Sequence, residues 1–318
     1  MRIRKVLTSL VVAALVLVGG VATSAPSNAA STLTSPTWMS NATVYEVNVR
    51  QYTAEGTFNA FSTHLDRLKK LGVKVLWFMP IQPISVKERK GTLGSYYSIA
   101  DYKGINPEFG TAADFKALVE KAHGLGFKIV LDWVPNHTGW DNPWITAHPD
   151  WYTKDSTGKI IHPAGTDWTD VADLNYSNQA MRAEMIASMK YWVDTYDIDG
   201  FRCDVAGAVP NDFWNTATAT LTAIKPLWML AETNPGEVTI GTNFTSAYNW
   251  PLKDAFNGMG RGNTDGFTIS GEITRIANDY PKGNYPMNFI TNHDENSWSG
   301  SEYTRLGSIA AVKAGAVI

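Results

Sequence analysis

The chain has 318 residues, 44% hydrophobic and 18% charged, an ordinary globular composition with material for a sizeable core. Its formal net charge is −3, from 27 basic and 30 acidic residues, which excludes the strongly basic surface that nucleic acids or anionic membranes select. A single cysteine, Cys203, excludes an intramolecular disulfide framework, and its place on an apolar strand predicts a buried, inert thiol.

At the N-terminus, Arg2, Arg4 and Lys5 precede an apolar run from Leu7 to Val18, and small residues lead on to Ala29 and Ala30. This is the pattern of a secretory signal cleaved after Ala29 or Ala30. The alternative, a membrane anchor, needs a span of ~20 apolar residues, longer than this run. The expectation is a secreted, extracellular protein whose signal occupies residues 1–30. Losing three basic residues leaves a mature charge of about −6.

From residue 43 short apolar runs alternate with amphipathic ones. Strands are predicted at 43–49, 73–80, 127–134, 199–205 and 226–232, with a weaker sixth at 245–250 and a seventh at 286–292. Helices are predicted at 61–72, 111–126, 180–196, 212–225 and 301–315. Alternating β and α units imply a parallel sheet. No glycine-rich phosphate loop follows the first strand, which disfavours a dinucleotide-binding doubly wound sheet. Asp132, Asp204, Glu232 and Asp294 all fall at or just beyond strand C-terminal ends, where a (β/α)8 TIM barrel assembles its site. The stretch 138–176 interrupts the rhythm after the third strand. Its Trp140, Trp144, Trp151 and Trp168 read as a small core or as sugar-stacking platforms.

Arg202 and Asp204 lie two apart and share one face of the fourth strand. A guanidinium there is expected to keep Asp204 ionised and lower its pKa. Glu232 ends the neighbouring strand. With less compensation, it is expected to have a raised pKa and to hold a proton near neutral pH. Two such carboxyls at ~5–5.5 Å suit a retaining glycosidase.

These residues sit in blocks that resemble the α-amylase family, family 13 of the glycoside hydrolases. "DWVPNH" (132–137), "GFRCDVA" (200–206), "LAE" (230–232) and "FITNHD" (289–294) match its four signatures in order, and "VADLN" (171–175) matches a further one. The resemblance covers residues 41–318 and implies roles residue by residue. Asp204 would be the nucleophile, Glu232 the general acid/base, and Asp294 the carboxylate that grips sugar hydroxyls and helps raise the pKa of Glu232. Tyr97 would stack on the sugar. His137 and His293 would bond its hydroxyls, Arg202 would orient Asp204, and Asp132 would support Arg202. Asn136 and Asp173 match the family's side-chain calcium positions, so calcium is a conditional expectation. Val205-Ala206-Gly207-Ala208 lacks the Lys-His pair that many members place after the nucleophile, which leaves both calcium and leaving-group specificity open.

The expected architecture is an α/β (β/α)8 TIM barrel lacking its last β/α unit. Residues 31–137 would form its first part, 138–176 a small inserted domain, and 177–318 an incomplete second part. The sequence reaches Ile318 without a recognisable eighth strand, so a truncated product that is poorly soluble or inactive is expected. The implied function is retaining, endo-acting hydrolysis of α-1,4-glucans or malto-oligosaccharides by a monomer, with no nucleic-acid partner and no membrane partner after signal cleavage. The alternatives are an α-glucosidase or glucan transglycosylase of the same family, and a non-catalytic glucan-binding fragment.

Overall fold

The computed structural model describes residues 33–317, and the expected signal segment lies outside the described residues. Six parallel strands form one curled sheet in the order β1 (Val44–Val47), β2 (Val75–Phe78), β3 (Lys128–Trp133), β6 (Gly200–Cys203), β7 (Trp228–Ala231) and β8 (Ser246–Ala247). A two-stranded antiparallel ribbon, β4 (His137–Gly139) and β5 (Val171–Asp173), leaves the sheet after β3.

Side-chain alternation sorts the sheet into two faces. Val75, Trp77, Val130, Trp228, Leu230 and Tyr248 pack together on the inner, concave face. Their neighbours Leu76, Phe78, Leu131, Phe201, Cys203 and Met229 pack outward in the cluster that includes the helices. Cys203 is therefore buried and free, and burial pushes its thiol well up. The same parity directs Asp132, Arg202, Asp204 and Glu232 to the inner face.

The helices are local solutions to the same pattern. Ala112–Gly124 begins in a capping box between Thr111 and Asp114 and buries Phe115, Leu118, Val119 and Ala122. Gln179–Tyr196 is capped by Asn178 and buries Met181, Met185, Met189 and Trp192. Leu65–Leu71 stops at Gly72, where φ is 96°. Among the described residues, no helix is long and apolar enough to cross a membrane.

Several expected elements are corrected. Residues 286–292 are not a seventh strand; they contribute a single parallel bridge, Tyr248 to Met287. The template explains this: β8 has two residues, and the helix Trp250–Gly260 starts almost at once, with Pro251 in its first turn. The helix expected at 301–315 is two, Glu302–Leu306 and Ile309–Val317, parted by Gly307 at φ 78°. The helix expected at 61–72 is likewise split between Phe58–Ser62 and Leu65–Leu71. The helices Trp250–Gly260 and Gly266–Asp279 had no counterpart in the sequence reading.

Within 138–176, Trp144 and Trp151 pack edge to face at 5.1 Å, and Trp144 also meets Tyr102 at 5.0 Å. Trp151, Tyr152 and Leu174 belong to the main outer cluster. Opposite, β1 pairs only with β2 among the described residues, leaving a broad cavity of about 1220 Å³ between Val44 and Tyr45 on one side and Met287 to Asn292 on the other.

Candidate active site

Asp204 and Glu232 reach the site because the parallel ladder runs one residue past each strand. The backbone N–H of Asp204 donates to Trp133 O at 2.8 Å, and that of Glu232 donates to Cys203 O at 3.0 Å. Both carboxyls therefore project from adjacent strand ends.

Beneath them lies Arg202, fully buried. Its Nη1 donates to Asp204 Oδ1 at 2.8 Å and to Asp132 Oδ1 at 3.0 Å, its Nη2 pairs with Glu232 Oε1, and its Nε donates to the Tyr248 hydroxyl at 3.1 Å. The rings of Trp77, Tyr248 and Tyr97 surround the guanidinium at 5.3, 5.6 and 5.9 Å from Cζ. Asp132 is braced in turn by Trp77 Nε1 and the Tyr97 hydroxyl, each at 3.2 Å. Because Asp204 and Glu232 share one guanidinium fork, their carboxyls lie within about 8 Å of each other.

Around this floor, a cavity of about 320 Å³ gathers Tyr97, His137, Asp204, Glu232, His293 and Asp294. Trp168, with its ring 5.6 Å from that of His137, and Trp298, 85% exposed, also line it. Trp168 thus faces the cleft, whereas Trp144 and Trp151 pack as core. Asp294 lies at the start of the short helix His293–Trp298, 43% exposed.

Burial dominates the electrostatics. It pushes Glu232 up to about 8, with Arg202 opposing and Asp204 and Asp294 adding to the rise. Asp204 is also raised, which corrects the expectation that Arg202 holds it low. Desolvation outweighs the guanidinium because that one charge serves Asp132 and Glu232 as well. Glu232 is raised as expected, although it too is paired with Arg202. Burial lowers His137 to about 4, so its ring is neutral at pH 7. Burial alone would lower His293 as well, but the Glu46 carboxylate reverses the sign and raises it, with Asp294 contributing.

Asn136 and Asp173 lie at the same end of the β4–β5 ribbon but are not partners: Leu174 N–H donates to Asn136 O at 3.2 Å, and His137 is the residue opposite Asp173. Asn136 Nδ2 lies 3.2 Å from His137 Nδ1. Two side-chain oxygens fall short of the six to eight that calcium takes. Among the described residues no three His, Cys, Asp or Glu side chains cluster to hold a metal ion.

The sequence reading missed Glu46, which touches His293, and Tyr248, which touches Arg202. The signal for Glu46 was present: on the strand around residues 44–47 it falls on the same face as Val44, which packs against the inner cluster.

Residues 23–224 match the family model described as Alpha-amylase: Alpha amylase, catalytic domain. The chain is 32% identical over 251 residues to Alpha-amylase 3 of Dictyoglomus thermophilum, covering 68% of this chain and 49% of that one. It is 29% identical over 266 residues to a cyclomaltodextrin glucanotransferase of Bacillus licheniformis, covering 70% of this chain and 36% of that one. Among solved structures, an alpha-amylase from Lactobacillus plantarum superposes with a TM-score of 0.74 at 37% identity, covering 80% of this chain and 63% of that one. The chain spans about half the length of the first of these curated relatives and about a third of the second.

Proposed function

The chain belongs to the α-amylase family and carries residues of its catalytic domain, and from that premise we propose that it serves retaining hydrolysis of α-1,4-glucosidic bonds in starch-like glucans, by internal cleavage. The observation that carries this reading is the pairing of two carboxyls on adjacent strands over one guanidinium. Glu232 is raised far enough to hold a proton near neutral pH.

In this reading the Asp204 carboxylate attacks the anomeric carbon. The bond to the leaving oxygen breaks as Glu232 donates its proton to that oxygen. The resulting glycosyl ester on Asp204 is then cleaved by water, whose proton passes to the Glu232 carboxylate, restoring both groups. Asp294 and His293, at the cavity wall, would bind sugar hydroxyls, and Tyr97 would offer its ring to the sugar face. The basic and apolar residues 2–18 support secretion, which N-terminal sequencing of the exported product tests.

A second reading, transfer of the glucosyl unit to another sugar, draws support from the glucanotransferase relative. Products from maltoheptaose separate the readings. Internal cuts give mixed short oligomers, exo-action gives glucose, and transfer gives longer chains. Asp204→Asn and Glu232→Gln should each abolish turnover while leaving maltoheptaose binding in place. Turnover that survives either substitution would remove the assignment.

A further inference from the structure

Glu46 takes no part in the mechanism above, yet it holds the cleft wall that does. It stands near the C-terminal end of β1, 247 positions before His293 in sequence. Its Oε1 lies 2.6 Å from His293 Nδ1, and its Oε2 accepts the backbone N–H of His293 at 3.1 Å. One carboxylate therefore grips both the ring and the main chain of a single residue.

The need for such a grip follows from the fold. The segment 288–292 that leads to His293 forms no ladder with β8, and β1 pairs only with β2 among the described residues. Besides Glu46, side chains hold this segment through Asn249 Nδ2 donating to Asn288 Oδ1 at 2.8 Å and Arg305 donating to Ile290 O at 2.8 Å, both upstream of His293. Among the described residues, Glu46 is the sheet residue that hydrogen-bonds directly to His293.

The ring's surroundings show what the tie achieves. With Nδ1 taken by Glu46, Nε2 is the nitrogen turned toward the cleft. It lies 2.8 Å from the Tyr97 hydroxyl and 3.3 Å from Asp294 Oδ1. The ring stacks on Tyr97 at 5.5 Å and meets Trp77 edge-on at 6.1 Å. The other charged groups acting on it are Arg202 and Asp132, the latter also bonded to the Tyr97 hydroxyl. A hydrogen-bonded chain thus runs from Glu46 through His293, Tyr97 and Asp132 to Arg202.

We propose that Glu46 is a positioning residue for the α-glucan reaction, fixing the His293 ring and the start of its helix so that Nε2 and the Asp294 carboxylate face the sugar. The proposal rests on the glycosidase reading given above. The carboxylate on Nδ1 keeps a proton there and favours the charged form of the ring, in which Nε2 is a donor. Glu46 itself touches no substrate.

Two substitutions separate charge from shape. Glu46→Gln can still accept from the His293 backbone N–H but carries no charge; Glu46→Ala loses both contacts. The histidine ring resonances of the chain are followed by NMR against pH, and maltoheptaose cleavage is measured on the same preparations. In Glu46→Gln, His293 should titrate at lower pH than in the parent protein. Its kcat should fall about tenfold with KM within about twofold, and Glu46→Ala should lose about a hundredfold, the scale of a misplaced catalytic group. An unmoved His293 titration in Glu46→Gln overturns the proposal, as does a moved titration with kcat unchanged. Should the parent protein turn over no α-glucan while His293 still shifts in Glu46→Gln, the glycosidase reading and the catalytic purpose of Glu46 fall together, and the grip on His293 stands as structural only.

Discussion

Arg202 and Glu232 form a direct ion pair in the floor of the cleft, although Glu232 is the group that must hold a proton for the reaction. The pair does not prevent this, because burial lifts Glu232 to about 8 against the pull of the guanidinium. Arg202 thus limits the rise. Removing its charge should raise both Glu232 and Asp204 further and leave three buried carboxyls without their common partner. Arg202→Met is expected to cost about 3–5 kcal/mol, the loss typical of a broken buried pair, and to abolish turnover at neutral pH. Arg202→Lys keeps the charge without the fork, so it should retain more stability but lose about a hundredfold in kcat/KM. Urea midpoints and initial rates on both variants check this. A lysine variant as active as the parent would show that the fork geometry is irrelevant.

The two carboxyls should give a bell-shaped pH dependence of kcat/KM. Glu232 must be protonated in the free enzyme, so the rate should decline as pH rises through about 8. Asp204 must be ionised, so the rate should also decline as pH falls through its raised range, above that of an ordinary carboxylate. Glu232→Gln cannot lose a proton. With a substrate whose leaving group departs without assistance, its alkaline limb should vanish while the acid limb persists. An alkaline limb retained in that variant would assign it to some other group.

Much of this site is legible in the sequence because strand parity is strict. Residues 202 and 204 must share a face, and so must 230 and 232, so the inner carboxyls follow once the strands are placed. The electrostatic balance is not legible. Whether Arg202 lowers Asp204 depends on how many carboxyls share it and how dry the floor is, and neither can be read from spacing. The strand expected at 286–292 shows the same limit. Its apolar run is real, and Met287 packs inward, but a ladder needs a template, and β8 offers two residues before the chain turns into a helix. Glu46 was missed for a different reason. Its partner lies 247 positions away, and only the curl of the sheet brings them together.

Asp294 differs from its two fellow carboxyls in being 43% exposed and in pairing with His293 Nε2, at 3.3 Å, rather than with Arg202. A group so placed contributes little to folding. Asp294→Asn should therefore leave the thermal midpoint within about 2 °C of the parent, the range of an ordinary surface substitution. If the carboxylate stabilises charge on the sugar in the transition state, kcat should fall by about 10²–10³ with a smaller change in KM. Equal losses in kcat and stability would instead make Asp294 a structural residue.

His137 offers a test that needs no substrate. Its ring is buried, and burial lowers it from its ordinary value of 6.5 to about 4. Between those values the unfolded chain binds a proton at this position and the folded protein does not, so stability should rise with pH across the window. The contribution is complete above the unfolded value and is lost as pH falls through about 4. A shift of this size corresponds to about 3 kcal/mol. Other groups titrate over the same range, so the informative quantity is the difference between the parent protein and His137→Gln, measured by urea unfolding at pH 7 and pH 4. The variant should be less stable than the parent at pH 7, where the packed neutral ring is lost. It should also lose about 3 kcal/mol less than the parent on going to pH 4, because the glutamine cannot charge. Parallel losses in the two proteins would mean that the folded His137 titrates as freely as it does in the unfolded chain, and that the wall it shares with Trp168 is wet rather than dry.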